Sequence, residues 1–214
     1  MKKKINNTNL SIVQGEVIEM HTDMLINWTV PRLNGGDNLF HKLHQEGGST
    51  IYKDCQRILA DFAERQSSEA PTDGIVPVGR AVVTTAGILP IKFIIHAVIP
   101  DYRVLRAPGE HEILLVAAIN NSLMLVTQYH SIKERINKIS FTPVPALIYG
   151  SENTKESARI LVKTLIEFAA KSDLRNIKIV CQTPEDYKLH VDELYKQTST
   201  GLERLINKVF KLSV

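Results

Sequence analysis

LINWTVPRLNGGDNLFHKLH, residues 25–44, leads from an apolar strand-like segment through Pro31 and the pair Gly35 and Gly36 into a segment that reads as a helix opening near Asp37. A glycine pair between a strand and a helix start lets backbone come close to another group, and the first amides of a helix have no internal partner. Strand, turn and helix in that order form the basic unit of α/β proteins, whose ligands collect beyond the carboxyl ends of the strands.

The same unit recurs along the chain. Short apolar or β-branched segments bounded by turn residues predict strands over 9–14 (NLSIVQ), 23–28 (DMLINW), 81–86 (AVVTTA), 92–99 (KFIIHAVI), 138–144 (KISFTPV) and 178–182 (KIVCQ). Helical patterns fall over 37–45, 49–65, 111–130, 153–171 and 184–197, with a last one over 201–212. In the fourth, Ala158, Leu161, Val162, Leu165, Ile166 and Ala169 recur at steps of three and four, so one face must lie on a sheet. Strands that are nearly continuous apolar runs are buried on both faces, and the intervening helices supply the cover. The expected fold is a three-layer α/β/α sandwich with a mixed central sheet. A single domain is expected over 1–214, with 1–8 as a flexible basic tail and 199–214 as a C-terminal helix docked on the domain. The irregular stretches at 64–79 and 101–110 are too short to divide it.

Composition narrows the classes. Of 214 residues, 43% are apolar and 23% charged, the profile of a soluble globular protein, and no uninterrupted apolar run reaches the roughly 20 residues of a bilayer span. The expectation is a cytoplasmic protein without membrane contact. MKKKINNTNL has three lysines but no apolar segment behind them, so it does not read as a secretory signal. Cys55 and Cys181 stand far apart, which excludes a zinc-ligand spacing and a disulfide framework. Neither a metal nor a cofactor is expected. The balance of 26 basic and 23 acidic residues, a net +3, lacks the excess of a dedicated nucleic-acid binder.

Read in order, several landmarks resemble the macro domain, an ADP-ribose-binding α/β/α family. SIVQGEVIEMHTDMLIN (11–27) looks like its opening strand, Gly-Asp-Ile turn and second strand. PVGRAVVTTAGILPIKFIIHAVIP (77–100) is similar to a Gly-x-Ala-x-x-Thr segment, a Leu-Pro and a strand ending Ile-His-x-Val-x-Pro. Residues 112–150 follow the family's long helix, buried strand and Ile-Phe/Tyr-Gly loop. The resemblance covers roughly 10–191, and its force lies in the order of the set.

The resemblance implies a set of site residues. Gly15, Glu16 and Val17 stand at the Gly-Asp-Ile turn, whose carboxylate accepts from the adenine amino group in the family; Glu16 keeps the charge, and its alternative reading is a surface cap of the turn. Asn27 matches the first Asn of Asn-Ala-Ala-Asn, while the second, which binds the distal ribose, falls on Val30. Trp28 either fills the crevice or packs in the core, the core being the better fit. Gly35 and Gly36 stand where the family has a longer glycine run. Asp37 reads two ways: as the acid that holds a water near the distal ribose, or as a helix N-cap worth about 1 kcal/mol. In FTPVPALIYG the family's Ser-Thr-Gly becomes Pro145, Ala146 and Leu147, while Ile148, Tyr149 and Gly150 are kept. Tyr149 would stack beside a ribose or base, or simply close the crevice. His41 and His44 lack metal-ligand partners, and His96 reads as a core histidine.

The implied function is binding of ADP-ribose, an ADP-ribosylated protein or a related nucleotide, weakened because both phosphate turns are depleted. Two alternatives stand beside it: a closed module that contacts RNA or protein, and an ADP-ribosyl hydrolase using Asp37.

Overall fold

The computed structural model describes residues 1–35, 38–66, 74–132 and 135–199. Seven strands, β1 (Lys2–Ile5), β2 (Thr8–Gln14), β3 (Met24–Thr29), β4 (Ala81–Thr85), β5 (Phe93–Val98), β6 (Lys138–Phe141) and β7 (Asn176–Cys181), form one sheet. The helices are α1 (Asn38–Gly47), α2 (Ser49–Gln66), α3 (Glu110–Ile132), the single turn α4 (Ala146–Tyr149), α5 (Thr154–Ala169) and α6 (Pro184–Thr198). Strand order is β1-β2-β7-β6-β3-β5-β4; the five central strands are parallel, and each edge strand is antiparallel to its neighbour.

Alternation along the strands sorts two cores. Met24, Ile26 and Trp28 of β3 face α3, α5 and α6, together with Leu10 and Ile12 of β2 and Ile177 and Ile179 of β7. Leu25, Ile94, Val98 and Val180 face the other way, toward Leu39 and Leu43 of α1 and Ile51 and Cys55 of α2. Every residue of β3 is buried, as its position inside the sheet requires. The three-layer architecture with a mixed sheet is thus the one expected.

Three expectations are corrected in detail. The lysine-rich start is a strand: Lys3 lies opposite Leu10 and Ile5 opposite Thr8, joined by a turn in which Asn6 takes a φ of 49°, a conformation asparagine tolerates better than most residues. The Ile12 amide donates to the Met1 carbonyl at 2.8 Å and extends that pairing. Second, β6 stops at Phe141 rather than continuing to 144, because Pro143 and Pro145 offer no N–H to a ladder. Third, α3 contains a stretch, Glu110–His130, that is long and apolar enough to cross a membrane, although a run-based reading passes over it. It packs on β4, β5 and α5, as a core helix does. The helix expected within 199–214 lies outside the described residues apart from Ser199.

Candidate functional site

Parallel register brings the ends of four strands level at one rim of the sheet: Gln14 lies opposite Cys181, Ile179 opposite Phe141, and Phe141 opposite Ile26. The turns that leave these ends carry most of the residues singled out from the sequence.

The turn after β3 is held by its own backbone. The Thr29 hydroxyl donates to the Gly35 carbonyl at 2.7 Å, and the Leu33 amide donates to the Val30 carbonyl at 2.9 Å. Leu33 takes a left-handed φ of 51°, which costs a side-chain-bearing residue about 1 kcal/mol and is offset here by burial of its isobutyl group. Gly35 sits in open space, where an added Cβ would meet only a Val30 methyl at 3.5 Å. Gly36 and Asp37 lie outside the described residues, and with them the proposed catalytic acid and half of the amide cradle.

Asn27 and Trp28 turn inward. The Asn27 side chain is fully buried, its Nδ2 at 3.3 Å from His96 Nδ1, while His96 Nε2 is at 2.9 Å from the Thr84 hydroxyl. Burial pushes the His96 imidazole down to about 3, so it is a neutral structural link between β3, β5 and β4. Asn27 therefore serves the frame of the turn, with its side chain away from solvent. The Trp28 indole is fully buried beside Phe141, ring centroids 5.9 Å apart, and its N–H donates to the Thr142 carbonyl at 3.1 Å. It does not fill the crevice; it pins the opposing turn from below.

That opposing turn follows β6. Pro143 and Pro145 stiffen the backbone into α4, where the amides of Ile148 and Tyr149 donate to the Pro145 carbonyl and that of Gly150 to Ala146. The amides of Ala146 and Leu147 have no acceptor among the described residues. Leu147 is 70% exposed, so its side chain stands at the rim. Gly150 has a φ of +93°, and a Cβ there would come 2.7 Å from Asn153 Nδ2, which explains glycine at the end of the turn. Ile148 and Tyr149 are core residues. Tyr149 is 3% exposed, more buried than either an aromatic stacked beside a ribose or base or a half-buried one closing the crevice, and its hydroxyl is pushed up to about 12, chiefly by burial. It lines a separate hollow with Tyr102 and His111.

The turn after β2 carries the acidic group. Gly15 has a φ of +145°, where a Cβ would sit 2.8 Å from Met20 Cε, and its amide donates to the Cys181 carbonyl. Glu16 receives Lys42 Nζ at 3.0 Å and the Gln182 amide at 3.1 and 3.2 Å. The Lys42 hydrogen bond foremost holds this carboxyl below its usual range, against the opposing effect of burial and with the Gln182 bond and the Lys42 charge adding to the lowering. Val17 is buried at the base of the turn.

Between these turns lies a cavity of about 210 Å³, walled by Val17, Thr142, Val144, Leu147, Gln182 and His190. Val17 is the residue from the sequence-derived set that lines it; Gly15, Asn27, Gly35, Ile148, Tyr149 and Gly150 shape the turns around it. Thr142, Gln182 and His190 escaped notice, as did Lys42, the partner of Glu16. Their role depends on contacts across the sheet, and His190 is hidden in the apolar pattern of α6. At the mouth, Thr183 caps α6, accepting the Asp186 amide at 3.1 Å, with Pro184 in the first turn.

Other chemistry is sparse. His44 lies against Phe40, ring centroids 4.3 Å apart, and burial first and His41 second lower its pKa. Burial pushes the Cys55 and Cys181 thiols up to about 12, which makes them poor nucleophiles. Among the described residues, no three His, Cys, Asp or Glu side chains are grouped to hold a metal ion.

Comparison with known proteins bears on this geometry. The Macro domain family model matches residues 26–161. The chain is 31% identical to an O-acetyl-ADP-ribose deacetylase of Escherichia fergusonii, covering 86% of this chain and 93% of the relative. It is 29% identical to a macro domain-containing protein of Cupriavidus necator, covering 87% and 97%. Among solved structures, the Oceanobacillus iheyensis macrodomain with ADP superposes with a TM-score of 0.77 at 28% identity, covering 97% of each chain. A mutant of that macrodomain with ADPR gives 0.78 at 27%, covering 92% and 97%.

Proposed function

The chain belongs to the macro domain family, and from that premise we propose that the crevice beyond β2, β3, β6 and β7 binds ADP-ribose, free or attached to a protein. The open cavity between the turn after β2 and the turn after β6 carries this reading. At about 210 Å³ it is below the roughly 300–1,000 Å³ of a pocket that encloses a whole drug-sized ligand, so it suits the base, with ribose and diphosphate lying across the rim. There the Ala146 and Leu147 amides, which have no acceptor among the described residues, supply two donors for an anionic oxygen. Pro145 removes a third amide, and Leu147 sets an isobutyl group at the rim, so affinity is lower than in relatives with hydroxyls and glycine at these places. Calorimetry with ADP-ribose tests the reading: a saturable one-to-one isotherm is expected, and no heat at millimolar protein overturns it.

A second reading, hydrolysis at the distal ribose, draws on the relatives named O-acetyl-ADP-ribose deacetylase. In this chain the acid would be Asp37, and the Val30 side chain has no hydrogen-bonding group where the family motif has its second Asn. Incubation with O-acetyl-ADP-ribose followed by mass spectrometry decides it: released acetate supports hydrolysis, and unchanged substrate leaves binding alone. Contact with RNA or protein through a filled crevice is disfavoured by the exposure of Leu147 and the inward packing of Trp28.

A further inference from the structure

The sheet edge at β4 lies apart from the crevice, and its pairing fixes which way the main chain points. The Val98 amide donates to the Arg80 carbonyl at 2.9 Å, so even-numbered residues of β4 turn N–H and C=O toward β5 and odd-numbered ones turn them away. Two bonds outside the ladder agree. Phe93, opposite Thr85, gives its amide to the Asp23 carbonyl on its other side, and the Thr85 amide goes outward to Asp54 Oδ2 at 3.0 Å. Ala81 and Val83 therefore direct two N–H and two C=O groups away from the sheet, and none of the four has a partner among the described residues.

These groups lie along a groove of about 280 Å³ between α2 and α3. Strand alternation gives it two walls: Ala81 and Val83 share a face with Leu125 and Tyr129 of α3, and Val82 shares the other with Ile58 and Phe62 of α2. Both ends are marked. Asp54 closes the edge at Thr85, whose hydroxyl also donates to it at 2.8 Å. At the other end the Gly79 amide and the Arg80 carbonyl both bond to Val98, a bulge that ends the ladder. Charges are ordered along the α2 wall. From Asp54 to Arg65 the helix advances about 16 Å, the length of about five strand residues, which sets Arg65 beside Ala81 and Asp61 one turn nearer to Val83. Asp54 is paired with Arg57, whereas Asp61 and Arg65 have no ion-pair partner among the described residues.

We propose that this groove binds an extended segment of a partner protein as an added strand antiparallel to β4. The main chain of the segment satisfies the four unpaired groups of Ala81 and Val83. Three successive apolar side chains fill the walls, the outer two against Leu125 and Tyr129 and the middle one against Ile58 and Phe62. Antiparallel pairing is slightly the more stable per residue, so the segment enters at Val83 and leaves at Ala81. A basic residue ahead of the apolar three then faces Asp61, and an acidic residue behind them faces Arg65. The groove admits a single chain: a second copy presenting its own β4 would bring its α2 and α3 against these helices before the edges meet.

The probe is a blocked heptapeptide, acetyl-Thr-Lys-Val-Ile-Val-Glu-Thr-amide, titrated at low salt into the full chain and followed by calorimetry and by hydrogen exchange at single amides. In the free protein the Ala81 and Val83 amides should exchange readily while those of Val82 and Thr84 are protected. At saturation all four should be protected, with a one-to-one isotherm below millimolar concentration. Methylating both valine nitrogens of the peptide removes its donors to β4 and should weaken binding by about tenfold or more. Exchanging its lysine and glutamate should cost about threefold, and Arg65→Glu should remove that preference. Val83→Pro takes away an outward amide and keeps the carbonyl side of the ladder, so affinity should fall by about fivefold or more, with thermal melting as the check on folding. Four results overturn the proposal: no binding at millimolar peptide, equal affinity for the methylated peptide, Ala81 and Val83 amides already protected in the free protein, which puts another part of the chain on the edge, or a dimer in sedimentation at low salt, which puts a second copy there. Any of them leaves the reading of the crevice untouched. Should Val83→Pro fail to fold, the methylated peptide decides alone.

Discussion

Two turns at the same rim of the sheet differ in what they leave unsatisfied. The turn after β2 carries the conspicuous charge, yet Glu16 is engaged by Lys42 and Gln182. The turn after β6, rich in proline and aliphatic residues, leaves the Ala146 and Leu147 amides and the Thr142 hydroxyl without partners among the described residues. The Glu16 carboxylate is shared with two neighbours, so we expect the bland-looking turn, with its unpaired donors, to matter at least as much to a ligand as the acidic one. A charged side chain at a cleft is informative only once its own partners are known.

The largest test of this contrast removes the support beneath the second turn. Trp28→Ala deletes a fully buried indole and its bond to the Thr142 carbonyl, with an expected loss of about 3–5 kcal/mol in urea unfolding. Trp28→Phe should cost far less, about 1 kcal/mol for the hydrogen bond plus the smaller ring, while loosening the turn. Next comes Leu147→Glu. Because Leu147 is 70% exposed, the melting temperature should hardly change, whereas a carboxylate beside the two free amides should weaken ADP-ribose binding by about thirtyfold by calorimetry at low salt. Unchanged affinity would show that the second turn does not face the diphosphate. In the opposite direction, Pro145→Ser combined with Leu147→Gly restores a donor and clears the rim, and should tighten binding by about tenfold.

The smallest effect belongs to the first turn. Lys42→Ala releases Glu16, whose carboxyl should rise toward its ordinary value in an NMR titration. The sign is that of a depressed acid: its contribution to stability is present above the ordinary carboxylate range and disappears as pH falls through the lowered value. The pair is more than a third exposed, so the change in stability should stay within about 0.5 kcal/mol, and ADP-ribose affinity within about twofold. A large loss of affinity in this variant would erase the contrast between the turns.

The fold was readable because its central strands are unbroken apolar runs and its covering helices keep a period near 3.6, signals that survive without any partner in view. β1 was not, because Lys2, Lys3 and Lys4 mask a strand whose pairing is supplied entirely by β2. At the site, the turns announced themselves through Gly15, Gly35 and Gly150, whose backbone needs are local. What each side chain does there was hidden. Lys42 reaches Glu16 from another element, and Tyr149 turns into the core.

The lysine-bearing strand has a bearing on solution behaviour. An outer strand offers a row of open main-chain groups on which a second molecule could extend the sheet, and repeated cationic side chains repel such an approach. Since that repulsion is screened by salt, light scattering from concentrated protein should rise with ionic strength, and more so after Lys2 and Lys4 are replaced by threonine.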